Sequence, residues 1–178
     1  MTGTFKKLTL TMAAAAMLAL PALPKAIGNH GNLPNQVRHE LVMLPYYSIF
    51  DNLGYRVDGD AVTLSGQVTR PVLKSDAERV VKNIEGISRV VNQIEVLPLS
   101  PMDDRIRIAT ARAIYRYPAL QRYAQGALPS IHIIVKNGNV TLEGVVANEA
   151  DKNIANIRAN GVFGVFSVKN ELRVENHG

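Results

Sequence analysis

Most of the chain is written twice, and that repeat limits its possible folds more than any other feature. Val62-Thr63-Leu64-Ser65-Gly66-Gln67-Val68 matches Val140-Thr141-Leu142-Glu143-Gly144-Val145-Val146 at an offset of 78 residues. The same offset pairs Lys74 with Lys152, Ala77 with Ala155, Gly86 with Gly164, Val90 with Val168, Asn92 with Asn170 and Val96 with Val174. Upstream the offset falls to 73, pairing Leu33 with Ile106, Val37 with Thr110, Leu41 with Ile114 and Pro45 with Pro118. The second copy therefore carries five extra residues near 121–130. Two copies are too few for a solenoid, which needs about three stacked repeats to bury its faces. They make two small units joined by Pro98-Leu99-Ser100-Pro101, a short stiff linker. Residues 101–178 should hold a complete core of their own.

Each copy reads helix, strand, strand, helix, strand. Leu33, Val37, Leu41 and Leu44 form one helical face closed by Pro45, as do Ile106, Thr110, Ala113, Ile114 and Tyr117, closed by Pro118. Asp58-Gly59-Asp60 and Asn137-Gly138-Asn139 are hairpin turns, because these residue types tolerate positive φ. Val62, Leu64, Gly66 and Val68 point to one side of the outgoing strand. Pro71 opens a second helix with Ala77, Val80, Val81 and Ile84 as its stripe, and Gly86 and Gly164 are expected as helix stops. Gly66 and Gly144 sit inside strands and read as places for a bulge or for close helix–sheet packing, and Asn92 and Asn170 as residues bonding backbone at a bend.

The pattern V-T-L-x-G-x-V, a helix, then G-[IV]-x-x-V-x-N-x-[IL]-x-V strongly resembles the BON (bacterial OsmY and nodulation) domain. It occurs as Val62 to Val68 with Gly86, Ile87, Val90, Asn92, Ile94 and Val96. It recurs as Val140 to Val146 with Gly164, Val165, Val168, Asn170, Leu172 and Val174. The family's first helix, D-x-x-I with an apolar stripe, appears as Asp103, Ile106, Thr110 and Ile114; the first copy has Leu33-Pro34 and no Asp three residues earlier. The resemblance implies an α+β fold of two tandem αββαβ domains, residues 29–98 and 102–176, each a three-stranded mixed sheet packed on two helices. It also implies an exported protein that binds phospholipid surfaces or envelope partners.

Residues 1–26 contain Lys6, Lys7 and Lys25 and no acid, with an uncharged run from Leu8 to Leu20. Thirteen helical residues span about 20 Å, short of the ~30 Å hydrocarbon core, so the segment reads as a secretory signal peptide, not a transmembrane span or a buried helix. The product is then periplasmic. Of the net charge of +5, three charges belong to that segment. Residues 27–100 carry 7 basic and 8 acidic groups, and residues 101–178 carry 10 and 7, too sparse a surplus for nucleic acid. With no Cys, thiolate metal sites and Cys nucleophiles are excluded.

His30, His39, His132 and His177 have no metal-ligand spacing, and Asp58 and Asp60 lack the bidentate Glu that closes a calcium loop. No phosphate loop, nucleophile elbow or dinucleotide fingerprint occurs. The chain is expected to be no enzyme and to use no cofactor or metal.

A helical projection over 104–117, with Ile106 at zero and about 100° per residue, groups Arg112, Arg105 and Arg116 near 240–280°. Tyr115 and Ile108 fall near 180–200°, opposite the core stripe. Guanidinium groups beside shallow apolar side chains suit a headgroup interface. Arg105, Ile108, Arg112, Tyr115 and Arg116 are therefore the candidate lipid-binding residues; cover by the other domain and plain solvation are the alternatives. Three functions follow: binding an anionic phospholipid surface, a protein-interaction or chaperone-like role in the envelope without lipid, or a small-ligand or ion sensor using loops such as 58–60. The export reading predicts that residues 1 to about 26 are absent from mature protein. Intact-mass measurement of the periplasmic fraction checks it, and a full-length 19.4 kDa species found only in cytoplasm would contradict it.

Overall fold

The computed structural model describes residues 32–126 and 128–175; the expected signal peptide, His30 and His177 lie outside them. The first copy runs α1 (Leu33–Val42), β1 (Asn52–Asp58), β2 (Ala61–Val68), α2 (Pro71–Lys82), β3 (Arg89–Asn92) and β4 (Glu95–Val96). The second runs α3 (Pro101–Tyr115), a 3-10 helix (Pro118–Ala124), β5 (Ile131–Lys136), β6 (Asn139–Val146), α4 (Glu149–Asn160), β7 (Ser167–Asn170) and β8 (Arg173–Val174). In each sheet the first two strands are antiparallel, and the third runs parallel to the second after a helical crossover. The fold is α+β, as the resemblance implies, with the element order that the repeat predicts.

The third strand is broken in both copies, and the paired asparagines explain how. The amide of Asn92 donates to the Lys74 carbonyl of α2 at 2.9 Å, while its carbonyl oxygen accepts the Ile94 amide at 3.1 Å. Asn170 does the same with the Lys152 carbonyl and the Leu172 amide. Each side chain thus ties the break to the crossover helix and turns a fully buried Ile94 or Leu172 inward.

Gly66 and Gly144 have φ of 110° and 118°, and a Cβ there would lie 2.1 Å from the Asn52 carbonyl and 2.0 Å from that of Ser130. Their role is to let the neighbouring strand approach, which no side chain would permit. Gly86 and Gly164 do not stop the helices. The caps are Asn83 and Gly161, and the two glycines shape the turn beyond.

Helix α1 spans ten residues and lacks a side-chain cap, whereas α3 spans fifteen and is capped by Ser100, whose Oγ accepts the Asp103 amide at 3.2 Å. Within α3 the buried set is Asp103, Ile106, Arg107, Thr110 and Ile114; Tyr117, expected on that face, is exposed. Each copy has its own apolar cluster between sheet and helices. The second is supplemented from the first, because Phe50 packs against it.

Trimming Phe50 to Ala should cost about 2 kcal/mol, below the ~3–5 kcal/mol of a fully buried phenylalanine. Hydrogen exchange should then accelerate in β5 and β6 more than in β1 and β2. Equal acceleration in both sheets would contradict the assignment of Phe50 to the second core.

Candidate functional site

Helix α3 is held at both ends and along one flank. At its start the buried Asp103 carboxylate accepts the amides of Asn137 and Gly138, both at 2.9 Å, clamping the β5–β6 turn to the first helical turn. Acidic residues at the N-terminus and Arg112 in the last turn also complement the helix dipole.

The tethered flank faces the outer edge of β5. Lys136 and Asn139 bracket a two-residue turn, so alternation places the Ile131, Ile133 and Val135 backbone groups on the side away from β6. Each of these residues is engaged. The Tyr115 hydroxyl donates to the Ile131 carbonyl, the Ile133 amide donates to the Ile49 carbonyl at 2.7 Å, and Arg107 donates to the Val135 carbonyl at 2.7 Å. Arg107 also pairs with Asp104 at 2.5 Å.

Tyr115 is therefore not part of an exposed face. Its ring packs against the core, and burial raises its phenol well above the ordinary value. The helical projection misplaced it because α3 lies along an edge strand. A long side chain opposite the sheet-facing stripe can still reach around to that edge, and Arg107 does so from the nearer side.

The opposite flank is open. Arg105, Arg112 and Arg116 are exposed, and none forms an ion pair with a described residue. Ile108, 46% exposed, stands with them. Thus four of the five candidate residues share one accessible face.

Next to Met102 lies an apolar turn that helical periodicity did not single out. Gly164 comes so close to α3 that a Cβ there would sit 3.6 Å from Ile106 and 4.0 Å from the Met102 sulfur. From this turn Phe163 and Phe166 project with 98% and 85% exposure. The signal was available in the repeat, since the aligned residues in the first copy are Glu85 and Ser88.

A second cluster joins the copies. The Asp51 carboxylate, fully buried, accepts from Ser48 (amide 3.0 Å, hydroxyl 2.7 Å) and Thr69 (amide 2.6 Å, hydroxyl 2.8 Å), fixing the loop before β1. The Asp51 carbonyl then accepts from His132 Nδ1 at 2.6 Å, and the imidazole stacks on Tyr47. A carbonyl can only accept, so Nδ1 carries the proton. At the rim, Lys136 pairs with Glu95.

The BON domain pattern matches residues 48–98 and 119–176, more than half of the chain. The chain belongs to the BON domain family. Both matches begin after the first helix of their copy, so the α3 surface lies outside them. The chain is 29% identical over 126 residues to Osmotically-inducible protein Y of Escherichia coli (strain K12), covering 70% of this chain and 62% of that protein. It thus spans less than two thirds of that relative. Two solved structures of CdsD, a structural protein of the type III secretion system of Chlamydia trachomatis, also match. They show 13% and 14% identity, TM-scores of 0.29 and 0.32, 82% and 83% of this chain covered, and 98% and 95% of theirs. No helix among the described residues of this BON protein is long and apolar enough to cross a membrane.

Burial holds the His132 imidazole below its ordinary value of 6.5, against the opposing pull of Asp51 and Ser48. The unfolded chain binds this proton more readily, so the stability from neutral His132 is complete above about pH 6.5 and declines as pH falls toward the lowered value. Replacing His132 with Gln should lower stability at pH 7 by about 1 kcal/mol and flatten the dependence between pH 7 and 5. Denaturant melts of both proteins across that range check this; parallel pH curves would refute it.

Proposed function

We propose that this BON protein is a non-catalytic, exported envelope protein that binds anionic phospholipid surfaces through α3 of its second copy. The observation that carries this reading is the open flank of α3: three exposed guanidinium groups with no ion-pair partner among the described residues, beside a half-exposed Ile108. Guanidinium pairs bidentately with phosphate, and a neighbouring aliphatic side chain adds a shallow apolar contact. The tethers on the other flank fix the rotation of the helix, and with it the side from which those charges project. The likeness to an osmotically inducible protein supports a role in envelope stress, and the N-terminal segment supports a periplasmic location.

One observation favours a protein-interaction or chaperone-like role without lipid. The outer edge of β1 lacks the closure seen at β5. Of Leu53, Tyr55 and Val57, whose backbone faces outward there, only the Leu53 amide meets a described partner, the Tyr47 hydroxyl at 3.4 Å. An extended segment of another protein could add to such an edge.

Each arginine should add about 1 kcal/mol of attraction to an anionic bilayer. Changing Arg105, Arg112 and Arg116 together to Gln should weaken vesicle binding roughly a hundredfold at low salt and remove most of its salt dependence. Changing Ile108 to Ser should weaken binding at every salt concentration. Tyr115→Phe should instead cost about 1 kcal/mol of stability and leave binding intact. Co-sedimentation with phosphatidylglycerol-containing vesicles, paired with melts, reads all three. If the unaltered protein stays in the supernatant, the protein-interaction reading replaces this one.

A further inference from the structure

We infer that the turn between α4 and β7 is a membrane wedge: Phe163 and Phe166, with Met102 beside them, enter the acyl boundary of the bilayer that the α3 arginines hold. This inference rests on the lipid reading above and extends it to a second element, with a distinct task.

The fold does not need these phenylalanines. The first copy builds the same turn, with Gly86 at φ 90° against Gly164 at 89° and matching bonds from Ile87 to Ile84 and from Val165 to Val162, both 3.2 Å. Ile87 and Val165 are the residues each turn packs against its own core. At the two outward positions the first copy carries Glu85 and Ser88, as solvent would favour, and only the second carries aromatic rings. The backbone that carries the rings is fixed. The Phe166 amide is bonded to the Gly138 carbonyl at 2.8 Å, and Gly164 holds a backbone angle that other residues rarely adopt.

A bilayer is the occupant that fits. The rings protrude almost wholly exposed from a turn, a shape that enters a soft medium more readily than it fills a partner's preformed surface. Charge agrees with this. Met102, 53% exposed, is three residues from Arg105 on the same helix surface, so the apolar knob adjoins the exposed guanidinium row. Cationic groups at headgroup level beside aromatic groups just below it is the division of labour expected at an interface.

The chain contains no Trp, so a single introduced indole reports one position. Phe163→Trp is placed in the full mature chain, with Glu85→Trp, at the aligned position of the first copy, as the comparison. Both are mixed with phosphatidylcholine–phosphatidylglycerol vesicles, with and without brominated acyl chains. The wedge predicts a blue-shifted, bromine-quenched emission for F163W and an unchanged one for E85W. It also predicts that F163E/F166S weakens co-sedimentation about tenfold or more at every salt concentration, with an unaltered melt. If the protein co-sediments while the F163W indole stays in water, the wedge is wrong and the α3 reading survives. If the unaltered protein does not co-sediment, both fail. A blue shift that grows with protein concentration without vesicles would mean a second copy covers the turn, which also overturns the wedge.

Discussion

A sheet of three strands with helices on one face leaves a row of backbone groups along its first strand, and how that row is closed governs the second copy. At β5 closure comes from a phenol, a guanidinium and the backbone carbonyl of the preceding copy. These bonds protect an edge that could otherwise recruit another strand. They also set the rotation of α3 about its own axis. With Arg107 and Tyr115 pulled down on one flank, Arg105, Arg112 and Arg116 project from the other and stay exposed. The accessible cationic surface is thus a by-product of edge protection, so a change at Tyr115 acts on it indirectly, through the helix.

Much of this was legible in the sequence because the chain supplies its own alignment. The offset of 78 marked the strands, the turn residues and both asparagines, whose roles are backbone roles and hence local. The closely approached glycines were legible as packing positions, though their neighbour proved to be the adjacent strand and not a helix. What escaped is what depends on three-dimensional arrangement. Helical projection places Tyr115 with Ile108, since angle is all it knows; it cannot see that an edge strand runs beneath one flank. Arg107 escaped for the same reason, as a charged residue is not expected at 4% exposure. Phe163 and Phe166 escaped because a helix-stop reading of Gly164 absorbed the whole turn. Comparing the copies for what differs, and not only for what agrees, would have exposed them.

The two copies therefore divide the work. The first is nearly neutral, and its loop before β1 serves as a fitting: Asp51 fixes the loop internally while Ile49, Phe50 and Asp51 engage β5 and its core. The second carries the positive surplus, the open helix flank and the protruding rings. Joining them through a buried, uncharged imidazole makes the connection specific in geometry, since Nδ1 must point at one carbonyl.

The five inserted residues of the second copy change the task of the chain ahead of its sheet. In the first copy the segment before the first strand reaches forward to the next unit. In the second it coils into the 3-10 helix, buries Leu120, and commits Tyr123 to Asp151 and to the Ala147 amide of its own copy, at 2.6 and 2.8 Å. None of its described residues hydrogen-bonds outside its own copy. The same stretch of chain, lengthened by five residues, thus changes from a fitting between units into a brace within one.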